Sequence, residues 1–166
     1  MRKDEILLHC LSGDERNHHI QKMLMDSLWN LIHRLNNFGT LQSRQLEETI
    51  IKLFFEDDNY LDFHVLLFQC LKSQAYYLTQ EKLYDEAVNI MERALYHARE
   101  YDKIYAEKDK IFKYTTAMFD MLECDTAKIM RSGTGTFIDE FYEWLENKFY
   151  DPLRERDDFK KLAENK

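Results

Sequence analysis

An all-α fold is what this sequence predicts, and three observations carry the prediction. Apolar residues recur at i, i+3, i+4 and i+7 almost from end to end, the period of a helix with one buried face. Only four glycines and one proline interrupt 166 residues, too few turn formers for the many tight hairpins of a sandwich or barrel. Hydrophobic residues make up 45% of the chain against 33% charged, a balance that sustains a core and is far from the signature of disorder. The chain fits one domain, residues 1–166, able to bury a core without metals or disulfides.

The breaks in this pattern place helices at about 3–11, 14–37, 41–55, 59–80, 83–100, 102–123, 125–131, 136–149 and 152–164. The first comes from MRKDEILLHC, whose apolar stretch is too short, and too soon interrupted by His9, for a signal peptide. Gly13 stops it and Asp14 caps the next helix; in NNFGT, Gly39 and Thr40 do the same, and FEDDNY sets three cap-forming residues before Tyr60. In RSGTGTFIDEF, Thr136 is followed three positions on by Asp139, an acidic variant of the capping box. The helix after it aligns Phe137, Phe141, Trp144 and Lys148 along one line, with Ile138, Tyr142, Leu145 and Phe149 beside them. Such a wide apolar face either closes the end of the core or forms a docking surface, through which a homodimer would assemble. Short loops throughout make consecutive helices antiparallel neighbours.

Charge and cysteine content exclude several classes. With 23 basic and 31 acidic side chains the formal charge is −8, and no Lys/Arg stripe with interleaved aromatics occurs, which disfavours nucleic acid as a partner. Cys10, Cys70 and Cys124 are widely spaced and form no CxxC, so neither a disulfide framework nor a zinc site is indicated, and a reducing, cytoplasmic setting is expected. The most apolar run, VLLF at 65–68, falls far short of the roughly 20 residues needed to cross a bilayer.

One stretch has internal order of a known kind. Around KLYDEAVNIMERAL, Ala87 has Ala75 twelve residues before it, Met91 four after and Ala94 seven after, while Leu71, Leu78 and Tyr84 take large positions between them. Residues 68–100 thereby resemble one tetratricopeptide repeat, a helix pair of about 34 residues with small side chains where the helices cross; HAREYD replaces the proline-containing link usual there. About 40 residues on, ECDTA sets Asp125 and Ala127 where Asp85 and Ala87 stood, with Thr115 and Met118 matching Ala75 and Leu78, though Arg131 takes a large position. Upstream, WNLIHRLNN gives only Trp29 and Ile32 at suitable spacing. The ending FYDPLRERDDFKKLAEN resembles the closing segment of many tetratricopeptide arrays. The resemblance implies antiparallel hairpins stacked as a short right-handed superhelix, with a concave groove lined by the first helix of each pair. Here it implies Gln69, Lys72, Tyr76, Thr79 and Gln80 as the binding positions: amides and hydroxyls for a peptide backbone, Lys72 for a carboxylate, Tyr76 for flat contact area. In the half-matched unit the equivalents are Asp109, Phe112, Thr116, Phe119 and Asp120.

Signals for other chemistry are sparse. His33 in LIHRLNN faintly resembles the phosphoacceptor box of sensor histidine kinases, which would imply phosphotransfer on the hairpin of 14–37 and 41–55. His18 and His19 are adjacent, so they point about 100° apart on a helix and do not share a metal easily. EDDNYLD has Asp62 where a calcium loop needs glycine and Phe68 where it needs a bidentate acid. SGTGTF, beside Arg131, could hold an anion at a helix start but lacks the Gly-Lys-Ser/Thr ending of a phosphate loop. No nucleophile signature of a hydrolase appears. The expectation is a non-enzymatic helical adaptor, chaperone or regulatory protein, without cofactor or metal, that binds a protein or peptide, the acidic charge favouring a basic one. Phosphotransfer through His33 and a homo-oligomeric helical scaffold are the alternatives.

Overall fold

A computed structural model describes residues 10–129 and 135–164. The chain is all-α: α1 (Gly13–Asn36), α2 (Leu41–Phe54), α3 (Phe63–Gln80), α4 (Tyr84–Ala106), α5 (Phe137–Leu145) and α6 (Asp157–Glu164), with short 3-10 turns at Thr126–Lys128 and Lys148–Leu153. A single antiparallel ribbon of β1 (Ile111–Lys113) and β2 (Glu123–Asp125) is the only sheet among the described residues. The helix expected at 3–11 lies, up to residue 9, outside the described residues, as do Arg131 and the start of SGTGTF.

Helix starts follow the predicted caps at two places. Gly39 has φ +59°, a left-handed conformation that glycine adopts without a Cβ clash. Thr40 and Ser43 then form a reciprocal capping box, the Ser43 N–H donating to Thr40 Oγ1 at 3.1 Å and the Thr40 N–H to Ser43 Oγ at 3.2 Å. Thr136 and Asp139 do the same at α5. The start of α5 is anchored from outside as well: the N–H groups of Phe137 and Ile138 donate to the two carboxylate oxygens of Asp102 on α4, each at 2.9 Å. At α1 the cap is Ser12 rather than Asp14.

The largest departure lies in 102–123. Helix α4 runs through to Ala106 instead of breaking at 100, and no second long helix follows. Lys108, Asp109 and Lys110 lead out through a turn in which Asp109 takes φ +58°. The next residues alternate: Phe112 and Tyr114 turn inward while Ile111, Lys113 and Thr115 are exposed, the period-two pattern of a strand. Of the predicted helix at 125–131, the described residues, up to 129, form the 3-10 turn Thr126–Lys128. At the end, Pro152 sits in the second 3-10 turn, so the helix expected from 152 begins at Asp157. Between α2 and α3, positive φ at Asp58 and Leu61 folds the chain tightly, and α3 starts at 63 instead of 59.

Two apolar clusters share α3. Phe68, Leu71, Ala75 and Leu78 pack with Ala87, Met91, Ala94 and Ala98 of α4, and Phe141, Tyr142, Leu145, Tyr150, Leu153, Phe159 and Leu162 close that cluster. The aromatic face of 137–149 is thus largely turned into the core, with Phe149 its exposed member. Phe63 and Leu67 belong to the other cluster, with Met25, Leu28 and Ile32 of α1, Ile51 of α2 and Phe55 just after it, and Tyr114 and Phe119 of the connection between the strands. A polar seam joins α2 to its neighbours: the Glu48 carboxylate accepts from Gln74 at 2.9 Å, pairs with Lys52 at 2.7 Å and receives the Arg93 guanidinium of α4. Beside it Arg44 pairs with Glu47 at 3.0 Å, and burial raises the Glu47 pKa against the lowering effect of that partner.

Candidate functional site

Asp62, Val65, Gln69, Lys72, Tyr76 and Gln80 follow one line along α3, spaced three or four residues apart. The carboxy-terminal half of this line meets the chain's own α5 and the 3-10 turn Lys148–Leu153 that follows it. Glu140 accepts from Gln69 Nε2 at 3.1 Å and pairs with Lys72 Nζ at 2.6 Å, and the Lys72 ammonium lies 5.0 Å from the Phe68 ring centroid. Tyr76 meets Phe149 edge to face at 5.0 Å. Gln80 is exposed. Thr79 is corrected: it is buried, and its hydroxyl donates to the Ala75 carbonyl at 2.8 Å, so it faces the helix and not a groove. The second set is corrected too, since Asp109 lies on the turn after α4, Phe112 on β1, and Thr116, Phe119 and Asp120 in the connection between the two strands, with Phe119 fully buried.

The amino-terminal half of the same line opens into a groove of about 880 Å³. One wall is α1, with Lys22, Met25, Asp26 and Trp29; Asp62, Val65 and Tyr101 form the floor; Ile111, Tyr114 and the run 121–125 form the far wall. Trp29 is held by Phe63, ring centroids 4.8 Å apart, and by the exposed His33 stacked on it at 5.7 Å. Across the groove, α1 grips the ribbon: the Met121 N–H donates to Gln21 Oε1 at 2.9 Å and His18 Nδ1 donates to the Met121 carbonyl at 3.2 Å. Asp62, half-buried and accepting the Tyr114 hydroxyl, has its pKa raised by loss of solvation. Burial lifts the Cys124 thiol to about 12, which keeps it a thiol and a poor nucleophile. Four carboxyl groups, Asp26, Asp62, Glu123 and Asp125, face two lysines, Lys22 and Lys128, the latter tied to Asp125 at 2.8 Å. A groove of this size, with an aromatic wall and an acidic lining, suits a short chain segment carrying apolar and basic side chains.

A second polar constellation sits on the opposite flank of α3. His64 and His97 are buried with their Nδ1 atoms 2.8 Å apart, one donating to the other. Tyr60 sets its ring edge-on to both, at 5.3 and 5.6 Å. Burial holds the imidazoles down to about 4 and about 3, so both are neutral at pH 7. His97 borders an open basin of about 420 Å³ lined also by Lys52, Asp58, Tyr60, Glu92, Arg93 and Tyr96. No group of three or more His, Cys, Asp or Glu side chains placed to hold a metal occurs among the described residues.

Sequence reasoning missed the groove's α1 wall, its ribbon wall and the histidine pair. The alternation through Phe112 and Tyr114 was a signal for the ribbon, and Val65 stands on the line already drawn through Gln69 and Lys72. Nothing local links His64 to His97, 33 residues apart on separate helices. No helix among the described residues is long and apolar enough to cross a membrane. No family model, curated protein or solved structure matches the chain.

Proposed function

We propose that this chain is a non-catalytic interaction module, an adaptor, chaperone or regulatory protein of the cytoplasm, that holds a short segment of a partner protein. The binding surface is the groove between α1, the amino-terminal half of α3 and the ribbon. The observation that supports it most is the groove itself: about 880 Å³, open, walled by Trp29 and Met25, and rimmed by Lys22 and Asp26, whose side chains have no ion-pair partner among the described residues. In a tetratricopeptide-like superhelix this is the inner face of the first helices of two successive pairs, which is where such proteins take ligands. The excess of carboxyl groups favours a segment bearing Lys or Arg.

A phage-displayed library of random octapeptides tests this reading. Selected peptides should bind the wild type and lose affinity at least tenfold for Trp29→Ala, yet bind Tyr76→Ala within twofold. Enrichment that is equal on wild type and Trp29→Ala would sink it.

A second reading, self-assembly, has an observation of its own. Ile20, Leu24 and Leu31 on α1 and Leu46 and Leu53 on α2 are exposed, Leu53 at 66%. A mass in sedimentation equilibrium that stays monomeric up to millimolar concentration would remove it.

A further inference from the structure

The ribbon wall of the groove has a property that helices lack. Consecutive side chains of a strand point to opposite faces, so a groove lying on one face touches every second residue. This groove touches Met121, Leu122, Glu123, Cys124 and Asp125 in succession. It therefore runs along the edge of β2, beside its backbone.

The ladder identifies which backbone groups face the groove. The Tyr114 N–H donates to the Leu122 carbonyl at 3.4 Å, the Thr126 N–H donates to the Lys110 carbonyl at 3.0 Å, and Phe112 stands opposite Cys124 between them. The backbone groups of Cys124 in β2 and of the flanking Leu122 and Thr126 are thus the ones turned toward β1 and its extensions. The N–H and C=O groups of 121, 123 and 125 turn outward. At Met121 both outward groups are taken, by Gln21 and His18 of α1. At Glu123 neither group has a partner among the described residues, and at Asp125 the N–H has none, while its carbonyl opens the 3-10 turn Thr126–Lys128. The opposite edge is partly covered, because Asn59 Nδ2 donates to the Lys113 carbonyl at 3.0 Å. An edge with unpaired groups at the wall of a groove is a template for another strand.

We propose that the partner binds by strand addition: an extended segment of another protein, alternating apolar and basic side chains, pairs with the β2 edge through the N–H and carbonyl of Glu123 and the N–H of Asp125. This rests on the groove being the binding surface. Apolar side chains of the segment turn toward Met25 and Trp29, and basic ones meet Asp26, whose carboxylate has no ion-pair partner among the described residues, whereas Glu123 and Asp125 are already paired with Lys113 and Lys128. The Met121 contacts show the same edge accepting one donor and one acceptor already, and a bound strand continues that pattern. Main-chain bonds then supply affinity that depends little on sequence, and alternate side chains supply selectivity.

Two substitutions at one position separate backbone from side chain. Glu123→Ala removes the carboxylate and keeps the outward N–H; Glu123→Pro removes both, and the lost N–H belongs to no ladder bond. Octapeptides selected from the random library should bind Glu123→Ala within about threefold of wild type and Glu123→Pro at least tenfold more weakly, read by tryptophan fluorescence. Equal affinities for the two variants would overturn strand addition and leave the groove intact. If Glu123→Pro does not fold by circular dichroism, the same peptides carrying N-methyl groups on alternate residues replace it. Loss of binding with one alternation only supports the pairing, and tolerance of both alternations overturns it. A library that enriches nothing over Trp29→Ala overturns both the inference and the reading beneath it. A concentration-dependent doubling of mass that Glu123→Pro abolishes would place a second copy of the chain on this edge and overturn the peptide assignment.

Discussion

Acidification from pH 7 to pH 5 should destabilise the protein through His64 and His97. Burial is the main reason that each imidazole resists protonation; for His97 the neighbouring His64, Arg93 and Lys52 push in the same direction, while for His64 Glu100 and Asp58 oppose and Lys103 assists. With folded values of about 4 and about 3, against about 6.5 in the unfolded chain, the folded state binds fewer protons between these limits. Their contribution to stability is complete above pH 6.5 and is lost as pH falls toward 4. At pH 5 each unfolded imidazole lies about 1.5 units below its pKa, so each histidine costs about 2 kcal/mol of stability. That is a large part of the 5–15 kcal/mol that holds a typical domain. Burial raises the pKa of Asp62 and Glu47, so these groups act in the opposite direction. The assay therefore compares urea unfolding of wild type with His64→Phe/His97→Leu at pH 5, 6 and 7. Replacement of both partners by apolar groups keeps the fold and removes the titration. A wild-type stability that falls no faster than that of the double variant would refute the reasoning.

Three further outcomes follow from the packing. Ala94 is 0% exposed in the seam between α3 and α4, so Ala94→Leu should cost about 1–3 kcal/mol by overpacking, read as a lower melting temperature; an unchanged melt would show that the helices do not meet there. Glu48→Ala strands Gln74 and Arg93 without their carboxylate, and because Arg93 reaches solvent over about a third of its surface the loss should be about 2 kcal/mol in chemical unfolding. Asp102→Ala removes the acceptor for two N–H groups of α5, a capping loss of about 1 kcal/mol, and should raise amide exchange at Phe137 and Ile138 before any other site.

Local chemistry was the legible part of this sequence. Thr40 with Ser43 and Thr136 with Asp139 cap helices because a short side chain and an N–H three residues on meet whatever the rest of the chain does. Ala75, Ala87 and Ala94 are all fully buried between α3 and α4, as small residues at that spacing require. What escaped depends on distant partners. KIFKYTT satisfies a helical and a strand period about equally over so few residues, and pairing with 123–125 decides between them. Lys72 was read as a site for a ligand's carboxylate, and a carboxylate does meet it, supplied by Glu140, 68 residues further along the chain. The groove was out of reach for the same reason: Trp29 becomes a wall only because the ribbon comes back to face it.

Helix α3 serves as the common rod of two cores, with Phe63 and Leu67 in one and Phe68, Leu71, Ala75 and Leu78 in the other. A rod held at both ends cannot open at one without loosening the other, so the two halves should exchange their amide hydrogens as a single cooperative unit. Occupation of the groove against Val65 would then slow exchange as far away as Leu78 and Met91, and a partner at one end of the molecule would be felt at the other without any part of it changing place.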